Sequence, residues 1–322
     1  MLEWTGERFL PWIKQSTIAY EHLHRYAYAK TLVKNKRVLD LACGEGYGSK
    51  LLASTASSVV GIDVDENVIG HASEKYGCEK LRFLTGLMTA VPIQENHCFD
   101  VIVCFEAIEH IENQNGLLTE AKRLLATDGL LIVSTPNKPI YGGESPEQNP
   151  FHVKELHFTE FEGLLGRYFR NLKFLGQRVH PASSIWPIGA PGANGFHEFV
   201  IERGSSEFEF IGTDKRVALY FIAVASDASV SPPPSSVLLD DSDYLLDELK
   251  EGLDWVRNRA DEMEKTIVSQ QEAIAWRDGQ VRSLTDQLQK TQDSLALIHA
   301  SRGWKLILRL RSIRDRLRGL AR

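Results

Sequence analysis

The sequence is poor in the features that mark several classes of protein. It has four cysteines among 322 residues and no Cys-x-x-Cys pair, which excludes a disulfide framework or a cysteine zinc cluster and predicts reduced, buried thiols. No apolar run approaches the ~20 residues that span a bilayer. The net charge of −6 gives no overall positive excess, so a nucleic-acid partner is not expected.

What the sequence does contain is a glycine turn between two apolar runs. Residues 38–42 are mostly apolar and are followed by Gly44, Gly46 and Gly48, while a second apolar run ends in Asp63. A strand, a glycine turn and a helix open a doubly wound α/β sheet, in which a ligand lies across the carboxyl ends of the strands. The spacing Asp-x-x-x-Gly-x-Gly-x-Gly fits neither the dinucleotide fingerprint nor a phosphate-binding loop.

At these residues the chain resembles the class I S-adenosylmethionine (SAM) methyltransferases over roughly residues 5–225. The resemblance implies an α/β, Rossmann-like, seven-stranded methyltransferase sheet that binds SAM. Asp63 would hold the ribose hydroxyls, and Leu87 departs from the acid or small polar residue that the family usually has there. The full set of cofactor-binding residues that the resemblance implies is Asp40, Ala42, Gly44, Gly46, Asp63, Val64, Leu87, Met88 and Phe105.

Candidate catalytic residues follow the fourth predicted strand, Phe99 to Phe105. Glu106, Glu109 and His110 begin a predicted helical turn that projects both carboxylates on one face, with the histidine beside them. Two roles remain open. His110 could be a general base for an attacking hydroxyl, or the cluster could bind Mg²⁺ or Mn²⁺. Glu-x-x-Glu-His resembles the metal motif of ubiquinone-biosynthesis and plant small-RNA methyltransferases, with His152 or His157 as a further ligand.

Flanking segments complete the predicted domain, residues 1–228. The spacing of apolar residues predicts a helix from Ile18 to Leu32, and this N-terminal segment is a candidate lid. The residues that such a lid would contribute are Arg8, Tyr20, His24 and Arg25. Strands six and seven are predicted near residues 174–179 and 217–225. Residues 181–210 between them are a candidate acceptor lid or a disordered excursion.

Residues 229–243 are rich in Pro, Ser and Asp, and we interpret them as a solvated linker. The spacing of apolar residues changes after this segment. Apolar residues then alternate in steps of three and four over residues 244–300, which predicts a long coiled-coil helix and a homo-oligomer. Residues 301–322 alternate basic and apolar side chains around Trp304. This basic amphipathic tail is typical of a peripheral contact with an anionic membrane or an acidic partner.

A narrower resemblance combines four N-terminal motifs with the heptads. The motifs are Gly6-Glu-Arg-Phe, Glu21-His-Leu-His-Arg-Tyr, Ala42-Cys-Gly-Glu-Gly-Tyr-Gly and Asn149-Pro-Phe-His-Val-Lys-Glu-Leu. Together they resemble methyltransferases of bacterial surface-polysaccharide gene clusters. That resemblance implies a cytoplasmic enzyme, at the inner face of the membrane, that O-methylates a sugar beside a glycosyltransferase. A small-molecule phenol or quinone-precursor O-methyltransferase and a coiled-coil scaffold with a vestigial domain remain alternatives.

Overall fold

The computed structural model describes residues 2, 9–12, 17–141, 149–185, 197–204, 207–231, 233–242 and 244–319. Within these residues the chain forms two units, Met1–Leu245 and Leu246–Arg322. The strands of the first unit are β1 Arg37–Leu41, β2 Ser58–Asp63, β3 Leu81–Thr85, β4 Phe99–Cys104, β5 Leu125–Pro136, β6 Asn171–Gln177, β7 Val200–Arg203, β8 Phe208–Ile211 and β9 Tyr220–Ser226.

A seven-stranded sheet runs in the order β3-β2-β1-β4-β5-β9-β6. The first five strands in this order are parallel, and β9 pairs antiparallel with both β5 and β6. The apolar runs of the sequence form these strands because a parallel sheet is covered on both faces. The Rossmann-like, seven-stranded prediction is therefore confirmed, with the topological switch between β1 and β4.

Helices cover both faces of the sheet. They are α1 Ile18–Leu32, α2 Tyr47–Ala53, α3 Glu66–Tyr76, α4 Gln114–Leu124, α5 Lys138–Tyr141 and α6 Phe158–Leu165, with short 3₁₀ turns at Ile108–His110 and Thr213–Lys215. One core joins α1, α2 and α3 to the sheet, and the other joins α4 and α6 to its opposite face. Cys43 and Cys104 are buried as predicted, whereas Cys78, in the turn after α3, is exposed.

The helix predicted from Ile18 to Leu32 is confirmed as α1. Strand β6 lies three residues earlier than predicted, at Asn171–Gln177, and β9 begins at Tyr220. Between them, β7 and β8 form a separate antiparallel pair, so the excursion at residues 181–210 contains regular structure. Residues 186–196 and 205–206 of this excursion lie outside the described part of the chain.

The segment predicted as a solvated linker, residues 229–243, belongs to the first unit and is mostly exposed. Tyr20 donates a hydrogen bond to Asp240, His24 lies 3.1 Å from the Ser236 hydroxyl, and Val230 packs against the core. These contacts attach the segment to the side chains of α1, and its role as a linker stays a prediction.

The second unit is helical. Helix α7, Tyr244–Ala300, begins in the last residues of the first unit, and α8 covers Arg302–Gly319. The long C-terminal helix is thus confirmed, and its residues 249–300 are all exposed in the single chain. Ser301 accepts the Trp304 N–H and donates to the Ile298 carbonyl, which separates the two helices. None of the described helices is long and apolar enough to cross a bilayer.

We expect alanine to be tolerated at Gly70 and not at Gly46. Gly46 has φ +92°, and an added Cβ would lie 2.8 Å from the Phe83 ring, whereas a Cβ at Gly70 meets nothing within 4 Å. Gly46→Ala should lower the free energy of unfolding by roughly 2–4 kcal/mol. Gly70→Ala should raise it by roughly 0.5–1 kcal/mol because helix propensity improves. Urea denaturation of the full chain measures both, and equal stabilities would contradict the assignment of the turn.

Candidate active site

Two neighbouring strands end in backbone conformations that non-glycine residues rarely adopt. Ala42, after β1, has φ +58°, and Glu106, after β4, has φ +46°. Leu41 and Cys104, at the ends of these strands, are paired in the sheet, so the two distortions lie side by side at the switch point. Strained residues persist where the surrounding structure holds them, and they concentrate at functional sites.

Asp63 holds the glycine turn against the end of β2. One carboxylate oxygen accepts the Gly44 N–H at 3.0 Å, and the other accepts the Asp65 N–H at 3.0 Å. Each carboxylate oxygen can accept a second hydrogen bond, so ribose hydroxyls remain chemically acceptable partners. The ribose-binding role of Asp63 and the backbone roles of Gly44, Gly46 and Ala42 stay predictions.

Asp40 lies behind the glycine turn rather than at its surface. Its carboxyl is fully buried and accepts hydrogen bonds from the Ser49 hydroxyl at 2.5 Å and the Tyr26 hydroxyl at 3.1 Å. Burial raises the pKa of Asp40 to about 7, although these two hydrogen bonds oppose the shift. The prediction that Asp40 lines the crevice is therefore corrected, because Ser49 and Tyr26 surround its oxygens.

An exposed apolar pair lies beside Asp63. Val64 is 66% exposed and Leu87 is 55% exposed, and they follow neighbouring strands whose last residues, Asp63 and Thr85, are paired. The exposed side chains of Val64 and Leu87 suit the flat, apolar adenine ring of SAM, and the neighbouring Asp63 carboxylate suits its ribose hydroxyls. The residues present therefore fit this cofactor. Met88 packs partly against the core.

Phe105, by contrast, is 6% exposed. Its ring packs edge-on against Tyr26 with ring centroids 5.1 Å apart. Phe105 therefore supports the crevice from within, and its predicted direct contact with the cofactor is not favoured by this packing.

Glu106 points away from the other two candidate catalytic residues. Its carboxylate accepts a hydrogen bond from the Ser134 hydroxyl at 2.6 Å and lies 3.7 Å from the Arg25 guanidinium. The predicted shared helical face is wrong because Glu106 has a positive φ and precedes the 3₁₀ turn at Ile108–His110. Glu106 belongs to the predicted metal set, but it is not among the residues of that set whose ligand atoms lie together.

The remaining three residues of that set do come together. Ligand atoms of Glu109, His110 and His152, which we call the histidine cluster, lie within 4.8 Å of one another. The loop that carries His152 is held there by the Glu109 carbonyl, which accepts the Val153 and Lys154 N–H groups.

Both imidazoles of the histidine cluster are oriented through Nδ1. His110 Nδ1 lies 2.8 Å from the Phe151 carbonyl oxygen, and His152 Nδ1 lies 2.5 Å from a Glu155 carboxylate oxygen. Donation from Nδ1 places the ring lone pair on Nε2, the arrangement found in histidines that bind metals or accept protons. In His152 this Nε2 lies 3.2 Å from the Asn149 amide nitrogen, which can donate to it. His157, the other predicted ligand, instead begins α6 in a capping box with Glu160.

A buried polar network that the sequence did not predict lies at the same edge of the sheet. Arg25 is 1% exposed; it donates to the Gln177 amide oxygen at 2.8 Å and stacks over the Tyr220 ring. Tyr220 in turn donates to the buried Glu21 carboxylate at 2.8 Å, and burial raises the pKa of Glu21. The partners lie 150 or more positions apart in the chain, so no local pattern could reveal them.

The N-terminal segment covers the glycine turn in part. The buried Phe9 ring contacts Tyr47 edge-on, and Lys75 lies over the Trp12 ring while pairing with the buried Glu45 of the turn. Of the predicted lid residues, Tyr20 and His24 contact residues 233–242 instead, Arg25 joins the buried network, and Arg8 lies outside the described residues.

The raised pKa of Asp40 predicts a pH-dependent stability. The folded pKa of about 7 exceeds the unfolded value of about 3.9, so the stabilisation is fully present below about pH 4 and is lost as the pH rises to about 7. Replacing Asp40 by Asn removes this pH-dependent contribution to stability. The Ser49 and Tyr26 hydroxyls can rotate to form hydrogen bonds with the amide of Asn. Between pH 5 and pH 8 the stability of Asp40→Asn relative to the wild type should rise by about 3 kcal/mol. Urea denaturation measures it, and a constant difference would contradict the buried carboxyl.

Comparison with known proteins agrees with this geometry. Residues 39–133 match the family described as a methyltransferase domain. A probable SAM-dependent methyltransferase of Mycolicibacterium smegmatis is 35% identical over 170 residues, which cover 50% of this chain and 62% of that protein. A ubiquinone biosynthesis O-methyltransferase of Glaesserella parasuis is 33% identical over 109 residues, covering 32% of this chain and 46% of that protein. The chain thus spans about three fifths, or less, of the length of these relatives.

Two solved structures are similar to parts of this chain. The YcgJ protein of Bacillus subtilis is 21% identical over 49% of this chain and 71% of its own, with a TM-score of 0.42. A SAM-dependent methyltransferase of Thermotoga maritima is 15% identical over 65% of this chain and 90% of its own, with a TM-score of 0.46. Residues 39–133 of this chain thus match a methyltransferase domain, and the Rossmann-like strand order and the glycine turn on the same residues agree with that match.

Proposed function

We propose that the chain transfers the methyl group of SAM to a hydroxyl oxygen of a sugar, in the assembly of a bacterial surface polysaccharide. The observation that carries the proposal is the histidine cluster at the carboxyl end of β4, next to the glycine turn. A sugar hydroxyl is a poor nucleophile, so its methylation needs proton removal at the moment of attack. Bound SAM supplies the methyl group on a sulfonium, which is already a strong electrophile.

The polarity of the neighbouring side chains supports a hydroxyl-rich acceptor. Glu106, Ser134 and Tyr220 lie at the carboxyl edge of the sheet, where the acceptor must meet the methyl group. The Glu106 carboxylate, which already accepts from Ser134, has lone pairs for a further hydrogen bond from a substrate hydroxyl. A quinone precursor with a long apolar tail fits this edge less well than a sugar does.

His110 is our candidate for the general base. Its Nδ1 faces the Phe151 carbonyl, so Nε2 can accept the proton of the attacking hydroxyl while Nδ1 keeps the ring in place. Glu109, which is fully buried, would stabilise the imidazolium that forms. Proton removal and alignment are the two contributions that the protein must make.

A metal role for the same cluster remains the second candidate. Two imidazoles and a carboxylate suit a divalent transition metal better than they suit Mg²⁺, which prefers oxygen ligands. Glu155 and Phe151 would be the outer groups that orient the two rings. Bound at Glu109, His110 and His152, Mg²⁺ or Mn²⁺ would acidify the acceptor oxygen. One relative is named as an O-methyltransferase, which supports oxygen as the methylated atom under either role.

We expect His110→Gln to lower kcat by about 10²–10⁴-fold because the substitution removes the group that accepts the proton. The assay follows label from methyl-labelled SAM into lipid-linked glycans of the bacterial membrane. His97→Asn is the matched control, since His97 lies before β4, at the opposite edge of the sheet, and asparagine tolerates its φ of +55°.

The same assay separates the two roles and the rivals. Activity that survives chelation assigns His110 as the base, whereas activity lost to chelator and restored by Mn²⁺ assigns the metal. A loss below tenfold in His110→Gln would overturn both roles. Label that enters soluble phenols and no glycan would favour a phenol or quinone-precursor O-methyltransferase. Absence of SAM binding would favour a coiled-coil scaffold with a vestigial methyltransferase domain.

We further propose that α7 forms a homo-oligomeric coiled coil. Apolar residues recur along one stripe of the helix and are about half exposed or more in the single chain. A lone helix cannot bury such a stripe, and association with a second copy can. The stripe positions are Leu246, Leu249, Leu253, Val256, Ala260, Met263, Ile267, Gln270, Ile274, Arg277, Val281, Leu284, Leu288, Thr291, Leu295 and Ile298.

Light scattering at micromolar concentration should find that the wild-type chain is a dimer or a larger oligomer. The double variant Ile267→Asn, Ile274→Asn should be shifted to monomer, because both substitutions place amides in the apolar stripe. Val268→Asn is the matched control beside the stripe, and it should leave the mass unchanged. A monomeric wild type would contradict self-association and would favour a partner helix, such as one on a glycosyltransferase.

The basic tail is our candidate for contact with the inner face of the membrane. Basic side chains alternate with apolar ones along α8, which suits an anionic bilayer surface. Co-sedimentation with vesicles that contain phosphatidylglycerol should fall when Arg309 and Arg311 are both replaced by Gln, since each basic group contributes about 1 kcal/mol. Equal co-sedimentation with neutral phosphatidylcholine vesicles would contradict this role.

A further inference from the structure

A cleft rich in arginine lies next to the buried network. It has a volume of about 250 Å³ and lies between α1, the end of β6 and the segment that leads into β9. We call it the arginine cleft. Its basic side chains are His24, Arg25, Arg178, His180 and Arg216, and among the described residues that line it none is acidic.

The guanidinium groups of the arginine cleft have spare hydrogen-bond donors. Arg178 donates to the Val217 carbonyl at a long 3.4 Å and has no acidic partner among the described residues. Arg216 pairs with Glu198 through Nη1 and donates to the Thr213 carbonyl through Nε, which leaves Nη2 as its spare nitrogen among the contacts of the described residues. Arg25 is 99% buried, yet its Nε and Nη2 have no hydrogen-bond partner within the described residues. Buried guanidinium donors are normally satisfied, so these donors indicate a missing acceptor.

The histidines in the cleft respond to the same positive field. Burial and the Arg25 charge lower the pKa of His24, and burial together with Arg178 and Arg216 lowers the pKa of His180. Glu198 and Glu106 each lie beside one of the three arginines, and an anion in the cleft would add a second compensating charge next to Arg25 and Arg216.

Arg25 connects this cleft to the candidate catalytic edge. The guanidinium that lines the cleft lies 3.7 Å from the Glu106 carboxylate, at the end of β4. It is also fixed by Gln177, the last residue of β6. A ligand anchored in the cleft is therefore one side chain away from the strand end where the acceptor meets the methyl group.

We propose that the arginine cleft is an oxyanion subsite, in which Arg178, Arg216 and Arg25 bind a phosphate or carboxylate group of the methyl acceptor. Planar guanidinium groups bind both oxyanions through paired N–H donors. The volume accommodates one such group with part of a sugar ring. Only the identification of the ligand as the acceptor rests on the proposed function. The acceptor class is then an acidic sugar or a sugar phosphate, rather than a neutral sugar.

Calorimetric titration of the full chain at fixed ionic strength tests the subsite directly. The probes are glucose 1-phosphate and glucuronate, with glucose as the neutral comparison. The wild type should bind at least one anion and should bind glucose more weakly than that anion. Arg178→Gln and Arg216→Gln should each weaken anion binding about tenfold or more, because each removes a charge-assisted hydrogen bond.

Both substituted side chains are exposed, so the variants should fold, and thermal unfolding verifies it. Arg167→Gln, in the turn after α6, is the matched control, because Arg167 is an exposed arginine outside the cleft. Arg178→Lys should recover part of the affinity. Tighter binding of glucose 1-phosphate identifies a sugar phosphate, and tighter binding of glucuronate identifies an acidic sugar.

Absence of anion binding by the wild type, or equal weakening in Arg167→Gln, would overturn the subsite. The outcomes also separate this inference from the proposed function. Methyl transfer to a glycan without anion binding would overturn the subsite and leave the function. Anion binding in the cleft without methyl transfer would support the subsite and count against the function.

Discussion

The parallel pairing of β1 with β4 is the constraint on which the rest of the site depends. Because the two strands run in the same direction and end together, the glycine turn after β1 and the 3₁₀ turn after β4 emerge at one edge. The following chain leaves each strand through a positive φ, at Ala42 and at Glu106. Asp63 then holds the glycine turn in place through the Gly44 N–H. A shift in the register between β1 and β4 would move the candidate cofactor crevice away from the histidine cluster.

Polar groups at that edge divide into two sets with different tasks. The histidine cluster has its imidazoles oriented by Phe151 and Glu155, an arrangement suited to proton acceptance or metal binding. The Arg25 network is buried, charged and stacked on Tyr220, an arrangement suited to positioning an acceptor. Glu106 belongs to the second set although its place in the sequence suggests the first. A separation of chemistry from recognition is common where loops at strand ends carry function.

Local patterns predicted those parts of the fold that local interactions determine. The apolar runs predicted the strands, and the three-and-four spacing predicted both α1 and the long helix α7. The histidine cluster was predicted in part, because Glu109 and His110 are neighbours, and the motif around His152 named a third member. The sequence did not predict the backbone conformation of Glu106 or the position of its side chain, because both depend on tertiary contacts with Ser134 and Arg25. The Arg25 network and the arginine cleft were missed because their members are far apart in the chain.

The central claim is that the crevice beside Asp63 binds the methyl donor with His110 facing the reacting atoms. A crystal structure of the chain with S-adenosylhomocysteine tests it most directly. We predict the ribose hydroxyls within hydrogen-bond distance of Asp63, the adenine between Val64 and Leu87, and the sulfur on the side of the crevice nearest to His110. A ligand bound elsewhere, or a His110 side chain that faces away from the sulfur, would contradict the account.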